Sequence, residues 1–361
     1  MSARTILHCI PTMEHGGAER QLSYLAPALV DRGWDVHVAL ERGGPYVARL
    51  ESNGVVVHRL HGRGHYDPAL LWQLRRLVRR LEPLLVHTWL TQMDILGGIV
   101  ALRARIPWIV SEQTSAPAYP PAWKNSVRRH LCSRAAAVVA NSFGGVEYWR
   151  DNVGGAVQQF VIPNGLPLQD IIAATPLDPE TIGLRPGGRL VLYVGRFSQE
   201  KNVNGVVHAL PEILHDPRVT AALCGDGPLR PSIERRLEED QLRDRVLLPG
   251  FVSHAWSWMK RASVFISVSH FEGQPNAVQE AMACGCPLVV SDIPSHREIL
   301  DQDSAVFVDA DSPAQIARAV RTVLSSPQRA DALVRNAREK VAALSITGMA
   351  ARYEDVYLRV A

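Results

Sequence analysis

Short runs of aliphatic residues alternate with amphipathic stretches along the chain, a pattern that predicts parallel α/β units. The first unit has a buried strand at residues 5–11, a turn at 13–17 and a helix at 18–30. The second half repeats this order with a strand at 190–194 and a helix at 203–214. Further strands are predicted at residues 36–40, 84–87, 108–111, 137–140, 220–224, 246–248, 264–268 and 288–291. We therefore expect an α/β fold with one parallel sheet in each half.

Proline and glycine concentrate between residues 163 and 188, where the alternation of strands and helices stops. Such a stretch is typical of a loop-rich connection, so we predict an inter-domain linker there. The first domain is expected at residues 1–166 and the second at 167–346. Residues 347–361 predict a further helix, because apolar side chains recur there at helical spacing.

The composition is that of an ordinary globular protein, with 361 residues of which 47% are hydrophobic and 21% charged. This length suits two domains, and the apolar content argues against disorder. The apolar runs at 95–102 and 135–140 are shorter than the roughly 20 residues that span a bilayer. No signal-peptide pattern is present, and five cysteines do not suggest a disulfide framework. We expect a cytoplasmic protein.

The most informative segment lies at residues 265–292, where a strand, a loop with Glu272 and a helix beginning near Asn276 follow one another. The free N–H groups at the helix start, including those of Asn276 and Ala277, form an anion site. Glu272 and Glu280 flank this site as acceptors suited to the hydroxyl groups of a sugar and a ribose. Two solvated glutamates are the alternative, although Glu280 lies in a largely apolar helix, where a charge needs a partner.

A second cluster follows the predicted strand at 190–194. Arg196 and Lys201 are separated by five positions, and together they can bind a diphosphate. In a transfer reaction they would stabilise the charge that builds on a departing diphosphate. The alternative is a surface ion pair between Lys201 and Glu200.

The first turn of the chain reads His15-Gly16-Gly17-Ala18-Glu19-Arg20. Adjacent glycines at a helix start let a backbone approach a ligand closely, although a tight turn also accounts for them. A dinucleotide-binding dehydrogenase would need the spacing G-x-G-x-x-G at this place. That class is therefore disfavoured, even though Glu41 stands where its ribose-binding acid would be.

Together these motifs resemble those of the retaining glycosyltransferases of family 4, which have the two-domain GT-B fold. The matching residues are Gly16 to Arg20, Asn164 and Gly165, Gly195 and Arg196 with Lys201, Gly225 to Pro228, and Glu272 to Glu280. The resemblance covers nearly the whole chain and implies two Rossmann-like domains facing across a cleft. It also implies that the final helix crosses back to the N-terminal domain, which holds the acceptor.

The resemblance also implies a role for each site residue. Glu272 is expected to contact the donor sugar at the reacting centre, with Arg196 and Lys201 on the donor diphosphate. The implied donor-binding residues are Gly16, Gly17, Asn276, Ala277 and Glu280, the last on the nucleotide ribose. Similar enzymes need no metal or other cofactor. Their front-face mechanism passes the acceptor proton to the leaving diphosphate, so we assign no protein nucleophile.

One position departs from the pattern of similar enzymes. After the strand that ends at Ser111 they often place a histidine facing the donor sugar, whereas this chain has Gln113. An amide can hydrogen bond a sugar hydroxyl but cannot carry a proton. His87, at the end of another strand, is the second candidate for a sugar or acceptor contact, and a histidine satisfied by backbone groups is the alternative.

Basic residues concentrate in the first domain, so the net charge of +3 sums a basic half and a mildly acidic half. Two stretches, residues 70–80 and 123–130, combine arginines with tryptophan and other apolar residues. Helices of this kind can lie on an anionic membrane, and a solvated arginine face on a core-packed helix is the alternative. Nucleic-acid binding is disfavoured, because no aromatic-interleaved basic strand is present.

The sequence therefore predicts a retaining glycosyltransferase that uses a nucleotide-diphosphate sugar. A UDP-hexose or UDP-N-acetylhexosamine is favoured as donor, with GDP-mannose as the other candidate. The expected acceptor is a glycan or a polyprenyl-linked glycan in surface polysaccharide biosynthesis, at the inner face of the cytoplasmic membrane. A nucleotide-sugar epimerase of related fold and a non-catalytic sugar-nucleotide-binding protein are the alternatives.

Overall fold

Two parallel sheets, one in each half of the chain, form the framework of the protein. The computed structural model describes residues 4–14, 16–115, 119, 121–153 and 157–361. The chain divides into two compact units. The first holds the residues up to Leu166 together with Leu344–Ala361, and the second holds Pro167–Ala343. The chain thus leaves the first unit once and returns to it after completing the second.

Within the described residues, the first unit has a seven-stranded parallel sheet with the strand order β3-β2-β1-β4-β5-β6-β7. Its strands are β1 (Arg4–Cys9), β2 (Trp34–Leu40), β3 (Val56–Arg59), β4 (Leu85–Trp89), β5 (Trp108–Glu112), β6 (Ala137–Ala140) and β7 (Gln158–Val161). Its first six helices are α1 (Gly17–Val30), α2 (Tyr46–Ser52), α3 (Pro68–Leu81), α4 (Leu90–Ala104), α5 (Trp123–Cys132) and α6 (Phe143–Val153). The strand order reverses between β1 and β4, as in Rossmann folds.

The second unit repeats this topology in a six-stranded sheet with the order β10-β9-β8-β11-β12-β13. Its strands are β8 (Arg189–Val194), β9 (Val219–Cys224), β10 (Val246–Gly250), β11 (Val264–Ser267), β12 (Leu288–Ser291) and β13 (Val306–Val308). Its helices are α7 (Leu168–Ala173), α8 (Val203–Ile213), α9 (Arg230–Glu239), α10 (Ala255–Arg261), α11 (Asn276–Cys284), α12 (Pro294–Arg297), α13 (Pro313–Ser325) and α14 (Pro327–Val341). Strand order reverses here between β8 and β11, so the loops after these two strands emerge side by side.

Every strand predicted from the sequence is present, with each end within two residues of its expected position. Three strands were not predicted: β3, β7 and β13. All three lie at an edge of a sheet. Edge strands bury less side-chain surface and therefore carry a weaker apolar pattern, as the partly exposed residues of β3 and β7 illustrate.

The stretch at residues 163–188 was predicted as an inter-domain linker, but most of it belongs to the second unit. The units divide between Leu166 and Pro167, and helix α7 and a 3₁₀ helix at Pro179–Ile182 follow within the second unit. Lys260 of α10 holds this segment, since its Nζ donates to the carbonyl oxygens of Ile172 (2.6 Å) and Ala174 (2.7 Å). Proline and glycine therefore mark short helices and turns here rather than a free connection.

The last helix, α15 (Ile346–Val360), completes the core of the first unit. Its buried apolar side chains belong to the same cluster as those of β1, β2 and α1; they are Met349, Ala350, Tyr353, Val356 and Tyr357. A polar contact adds to this packing, because Glu354 accepts hydrogen bonds from Arg32 Nε (2.7 Å) and Trp34 Nε1 (3.0 Å). Burial raises the pKa of Glu354, but these hydrogen bonds and the arginine charges outweigh it and lower the pKa.

All five cysteines are free and buried. Burial raises the pKa of the Cys9, Cys224 and Cys284 thiols to about 12, so they are poor nucleophiles at neutral pH. Among the described residues, every helix is too short or too polar to cross a bilayer.

Replacing Glu354 tests the docking of α15. We expect Glu354→Ala to lower the free energy of unfolding by about 1–2 kcal/mol, since it removes charge-assisted hydrogen bonds. Urea unfolding followed by circular dichroism measures this loss. Because the folded pKa of Glu354 lies below its ordinary 4.5, the difference from wild type is full above pH 4.5 and disappears as the pH falls through the lowered value.

The neighbouring Asp355 is exposed and supplies the control. Asp355→Ala is expected to leave stability within about 0.5 kcal/mol of wild type. Equal stability of the Glu354 and Asp355 variants would contradict a role for Glu354 in holding α15.

Candidate active site

Lys201 and Glu272 meet in the second unit, at the edge where β8 and β11 end. Lys201 Nζ lies 2.6 Å from both carboxylate oxygens of Glu272. The Lys201 side chain is 31% exposed and that of Glu272 only 10%, so the pair opens to solvent on the lysine side. The alternative of a pair between Lys201 and Glu200 is not what is observed, because Glu200 Oε1 accepts from Ser198 Oγ at 2.5 Å.

A chain of hydrogen bonds that begins just after β11 and continues to the end of β12 supports the Glu272 carboxylate. Ser269 Oγ donates to Glu272 Oε1 at 2.8 Å, and Ser291 Oγ at the end of β12 donates to the Ser269 carbonyl at 2.6 Å. His296 follows, with Nδ1 located 2.8 Å from the Ser291 carbonyl. Burial lowers the pKa of His296, so this ring is neutral at pH 7 and its Nδ1 carries the proton donated to that carbonyl.

Asn202 fixes the loop that carries Lys201. Its side-chain oxygen caps α8 by accepting from Gly205 N (3.1 Å). Its amide nitrogen donates to the carbonyl oxygens of Val268 (3.1 Å) and Ala310 (2.8 Å). The loop after β8 is thereby tied to the end of β11. An asparagine directly before a helix is typical of a helix cap, so the sequence indicates the first of these roles. It does not indicate that the same side chain also binds the backbone at Val268 and Ala310.

Glycines let the loop after β9 pack against the loop after β8. Gly225 and Gly227 have φ of +147° and +155°. A Cβ on Gly225 would lie 1.9 Å from the Gly195 carbonyl oxygen, and one on Gly227 would lie 2.5 Å from that of Phe197. Only glycine fits these positions. The Gly225-to-Pro228 motif therefore shapes the loop that presents Arg196.

Arg196 is exposed on that loop, and its carbonyl oxygen accepts from Tyr193 Oη at 3.0 Å. Burial raises the pKa of Glu200, but the Ser198 hydroxyl and the charges of Arg196 and Lys201 outweigh it and lower the pKa. Arg196 and Lys201 therefore both lie close enough to Glu200 to lower its pKa.

Helix α11 begins at Asn276, as predicted, and both Asn276 and Ala277 are half-buried in its first turn. Glu280 lies one turn further along and is only 4% exposed. Its Oε2 accepts a hydrogen bond from Trp256 Nε1 at 3.0 Å. Sequence reasoning indicated that Glu280 needs a partner but missed Trp256, because nothing in the local pattern links residues 24 positions apart.

Gly16 and Gly17 lie at the start of α1 in the first unit, while His15 of the same motif lies outside the described residues. The Glu19 carboxylate folds back over Gly16, where an added Cβ would come within 2.0 Å of Glu19 Oε2. Burial raises the pKa of Glu19, which is 7% exposed. The missing side chain at Gly16 therefore leaves room for the Glu19 carboxylate of the same helix.

His87 does not fit the predicted contact with a sugar or acceptor. Its side chain has no exposed surface, and Nδ1 lies 2.9 Å from Tyr357 Oη of α15. The rings of His8 and Trp89 lie against it, with centroids 5.1 Å and 4.9 Å away. Burial and then the charge of His8 hold the pKa of His87 well below its usual range. The prediction is corrected: His87 is a neutral core histidine.

Gln113 is half-buried in the turn after β5. Its Nε2 donates to Ser111 Oγ (2.8 Å), and its Oε1 accepts from Asn141 Nδ2 (3.3 Å). The orientation of the amide is therefore set by the protein. Whether it contacts a sugar stays a prediction.

A buried arginine supports this turn, and sequence reasoning assigned it to the surface. Arg128 was predicted within a basic face at residues 123–130, but its side chain is 1% exposed. Arg128 Nε binds Asp94 Oδ2 (2.7 Å), and its Nη2 lies 3.1 Å from Glu112 Oε2. Glu112 also accepts from Trp149 Nε1 (2.9 Å). Arg128 thus provides a counter-charge shared by two carboxylates that the fold has removed from water.

In the described parts of the chain, no three His, Cys, Asp or Glu side chains are placed to hold a metal ion. The predicted residues divide between the units. Lys201, Glu272, Arg196, Glu280, Asn276 and Ala277 lie in the second unit, and Gly16, Gly17, His87 and Gln113 lie in the first.

Comparisons with known proteins agree with this architecture. Residues 175–340 match the family model of glycosyl transferases group 1, and residues 16–165 match that of the glycosyl transferase 4-like domain. The lipopolysaccharide core biosynthesis glycosyltransferase LpsD of Rhizobium meliloti is 24% identical over 86% of both chains. An Escherichia coli UDP-Gal:α-D-GlcNAc-diphosphoundecaprenol α-1,3-galactosyltransferase is 26% identical over 63% of this chain and 62% of its own.

Among solved structures, Anabaena HepE in complex with UDP and glucose has a TM-score of 0.88 at 20% identity, covering 99% of this chain and 100% of that one. The fold and the two family matches define a glycosyltransferase built from two Rossmann-like domains. The chain belongs to the GT-B glycosyltransferases of family 4. This membership favours glycosyl transfer over the epimerase and the non-catalytic binding protein.

Removing the buried cation tests the polar cluster around Gln113. We expect Arg128→Met to destabilise the protein by about 3–5 kcal/mol, because Asp94 and Glu112 lose their counter-charge. Arg129→Met changes the adjacent, more exposed arginine and is expected to shift stability by only about 0.5 kcal/mol. Thermal unfolding of both variants measures the difference, and similar midpoints would contradict a buried role for Arg128.

Proposed function

We propose that this glycosyltransferase moves a hexosyl or N-acetylhexosaminyl group from a UDP-sugar to an acceptor, with retention of anomeric configuration. The observation that carries the proposal is the contact of Lys201 with Glu272 beside the start of α11. A cation, a carboxylate and a set of backbone N–H groups at one sheet edge are the groups that a sugar diphosphate requires.

In this proposal the second unit holds the donor. Lys201 and Arg196 bind the diphosphate, the first turn of α11 adds its N–H groups, and Glu272 accepts hydrogen bonds from the sugar hydroxyls. The Lys201–Glu272 pair orders both side chains before the donor binds. Because Lys201 contacts both oxygens of Glu272, donor binding exchanges part of this ion pair for contacts with phosphate and hydroxyl groups.

The transfer breaks the bond between the anomeric carbon and the diphosphate oxygen, and the acceptor oxygen forms the new bond on the same face. The acceptor proton passes to the departing diphosphate. Lys201 and Arg196 stabilise the charge that builds on this leaving group. Since these cations and the helix start supply positive charge, we propose that the reaction needs no metal ion; full activity in EDTA is the matching expectation.

The proposed classes of donor and acceptor are based on the substrates for which similar proteins are named. The E. coli relative is named for UDP-Gal and an undecaprenol-diphosphate-linked acceptor, and LpsD for lipopolysaccharide core synthesis. Anabaena HepE was crystallised with UDP and glucose. We therefore propose a UDP-sugar donor and a glycan or polyprenyl-linked acceptor in surface glycoconjugate biosynthesis.

The donor is tested first by thermal shift with UDP-, GDP- and ADP-sugars. A UDP-sugar at a hundredfold excess over its Kd is expected to stabilise the protein by about 2.7 kcal/mol. Stabilisation by a GDP-sugar alone would replace the proposed donor class, and stabilisation by no nucleotide would overturn donor binding.

The site is tested by donor hydrolysis in the variants Lys201→Ala, Glu272→Gln and Arg196→Ala. Each is expected to lose about 10²-fold or more in rate, since each removes a charge that acts on the donor. Lys340→Ala and Arg218→Ala, which break exposed surface ion pairs, are matched controls expected to keep wild-type rates. Wild-type rates in all three site variants would overturn the assignment.

We also propose that the first unit binds the surface of an anionic membrane. Helices α3 and α5 both pack beside α4. Trp72 of α3 is 61% exposed and Trp123 of α5 is 65% exposed. Arg75, Arg79 and Arg103 line a groove of about 560 Å³ between α3 and α4, together with Trp72 and other apolar residues. Exposed tryptophans can enter the acyl boundary of a membrane while the neighbouring arginines bind its anionic headgroups.

Vesicle flotation tests this surface. The protein is expected to float with phosphatidylglycerol vesicles at low salt and to remain unbound with phosphatidylcholine vesicles. The double variant Trp72→Ala/Arg75→Glu is expected to lose binding at least tenfold, while Arg218→Glu, which changes an exposed arginine of the second unit, retains it. No flotation of the wild type with phosphatidylglycerol would contradict the proposal.

A further inference from the structure

Trp256 contacts the carboxylate that the proposed function places on the nucleotide ribose. The indole Nε1 donates to Glu280 Oε2 at 3.0 Å. Glu280 is 4% exposed, while Trp256 itself is half-buried. A carboxylate removed from water to this extent needs a donor, and the indole provides one.

The chemistry of this donor differs from that of an arginine or lysine. An indole N–H donates one hydrogen bond and carries no charge. It therefore fixes the direction of Glu280 without neutralising it, so the carboxylate keeps its full strength as an acceptor. A carboxylate has about four acceptor positions, of which the indole uses one. This number lets one carboxylate accept hydrogen bonds both from the indole and from the two neighbouring hydroxyl groups of a ribose.

Helix α10 holds Trp256 firmly enough to act in this way. Trp258 and Met259 of the same helix are buried. Arg261 Nε donates to the Leu177 carbonyl at 2.6 Å, and Lys260 Nζ donates to carbonyl groups at the end of α7. The indole therefore stands on a helix anchored at several points, which suits it to orient the Glu280 carboxylate.

We infer that Trp256 is a positioning residue that orients Glu280 to recognise the vicinal diol of a nucleoside diphosphate. This inference rests on the proposed function and adds to it a source of selectivity for ribose over deoxyribose. The two ribose hydroxyl groups donate to the oriented carboxylate of Glu280. A nucleotide that lacks them makes fewer hydrogen bonds to this carboxylate and is therefore expected to bind more weakly.

The experiment compares the binding of UDP and of 2′,3′-dideoxyuridine diphosphate by isothermal titration calorimetry. Trp256→Phe keeps an aromatic ring and removes the N–H donor. Trp258→Phe makes the same substitution two positions away on the same helix and is the matched control. Thermal unfolding of each variant establishes that it is folded before binding is measured.

The wild type is expected to bind UDP at least tenfold more tightly than the dideoxy analogue. Trp256→Phe is expected to weaken UDP binding about five- to tenfold, the worth of one ordinary hydrogen bond, and to leave analogue binding unchanged. Trp258→Phe is expected to preserve the wild-type ratio of the two affinities. Glu280→Gln is expected to lose most of this ratio, and adding Trp256→Phe to it should have little further effect.

An equal loss for both nucleotides in Trp256→Phe would indicate a purely structural role and overturn the inference, as would a variant indistinguishable from Trp258→Phe. Either result leaves UDP binding by the wild type intact, so the proposed function survives. Failure of the wild type to bind UDP overturns the UDP-dependent function and the inference with it. A changed ratio of affinities is the readout that a loss of folding stability alone does not produce.

Discussion

Parallel pairing of β8 with β11 is the constraint on which the candidate active site depends. Lys201 and Glu272 are 71 positions apart in sequence, yet their side chains meet because both strands end at the same edge of the sheet. Asn202 reinforces the arrangement by binding the backbone beyond β11. The loop after β9 then fills the remaining space, which only glycine permits at Gly225. The candidate active site of the second unit therefore depends on the order of the strands in its sheet.

The interior of both sheets could be predicted from the sequence, because central strands are buried on both faces and read as continuous apolar runs. β6 and β12 begin and end at the predicted residues. The motifs named Lys201, Glu272 and Glu280 as candidates, and the structure brings the first two into contact. Trp256 and Asn202 were not assigned, because each acts through a partner distant in sequence, and no local periodicity shows which side chains will meet.

The errors share a physical origin. His87 was placed near substrate and Arg128 on the surface because strand ends and basic helices usually carry exposed polar residues. Both side chains are instead buried by elements that follow later in the chain, His87 by Tyr357 and Arg128 by Trp149. Burial of a polar residue depends on the complete set of neighbours that satisfy it. A local pattern contains only part of that set.

The return of α15 to the first unit affects the order of folding during synthesis. Domains generally fold as they leave the ribosome, the N-terminal one first. Here the core around β1, β2 and α1 lacks the side chains of Met349, Tyr353 and Tyr357 until the whole second unit has been translated. Of the two units, the first therefore completes its core only after the second has been translated, and until then the apolar surface that α15 covers stays exposed.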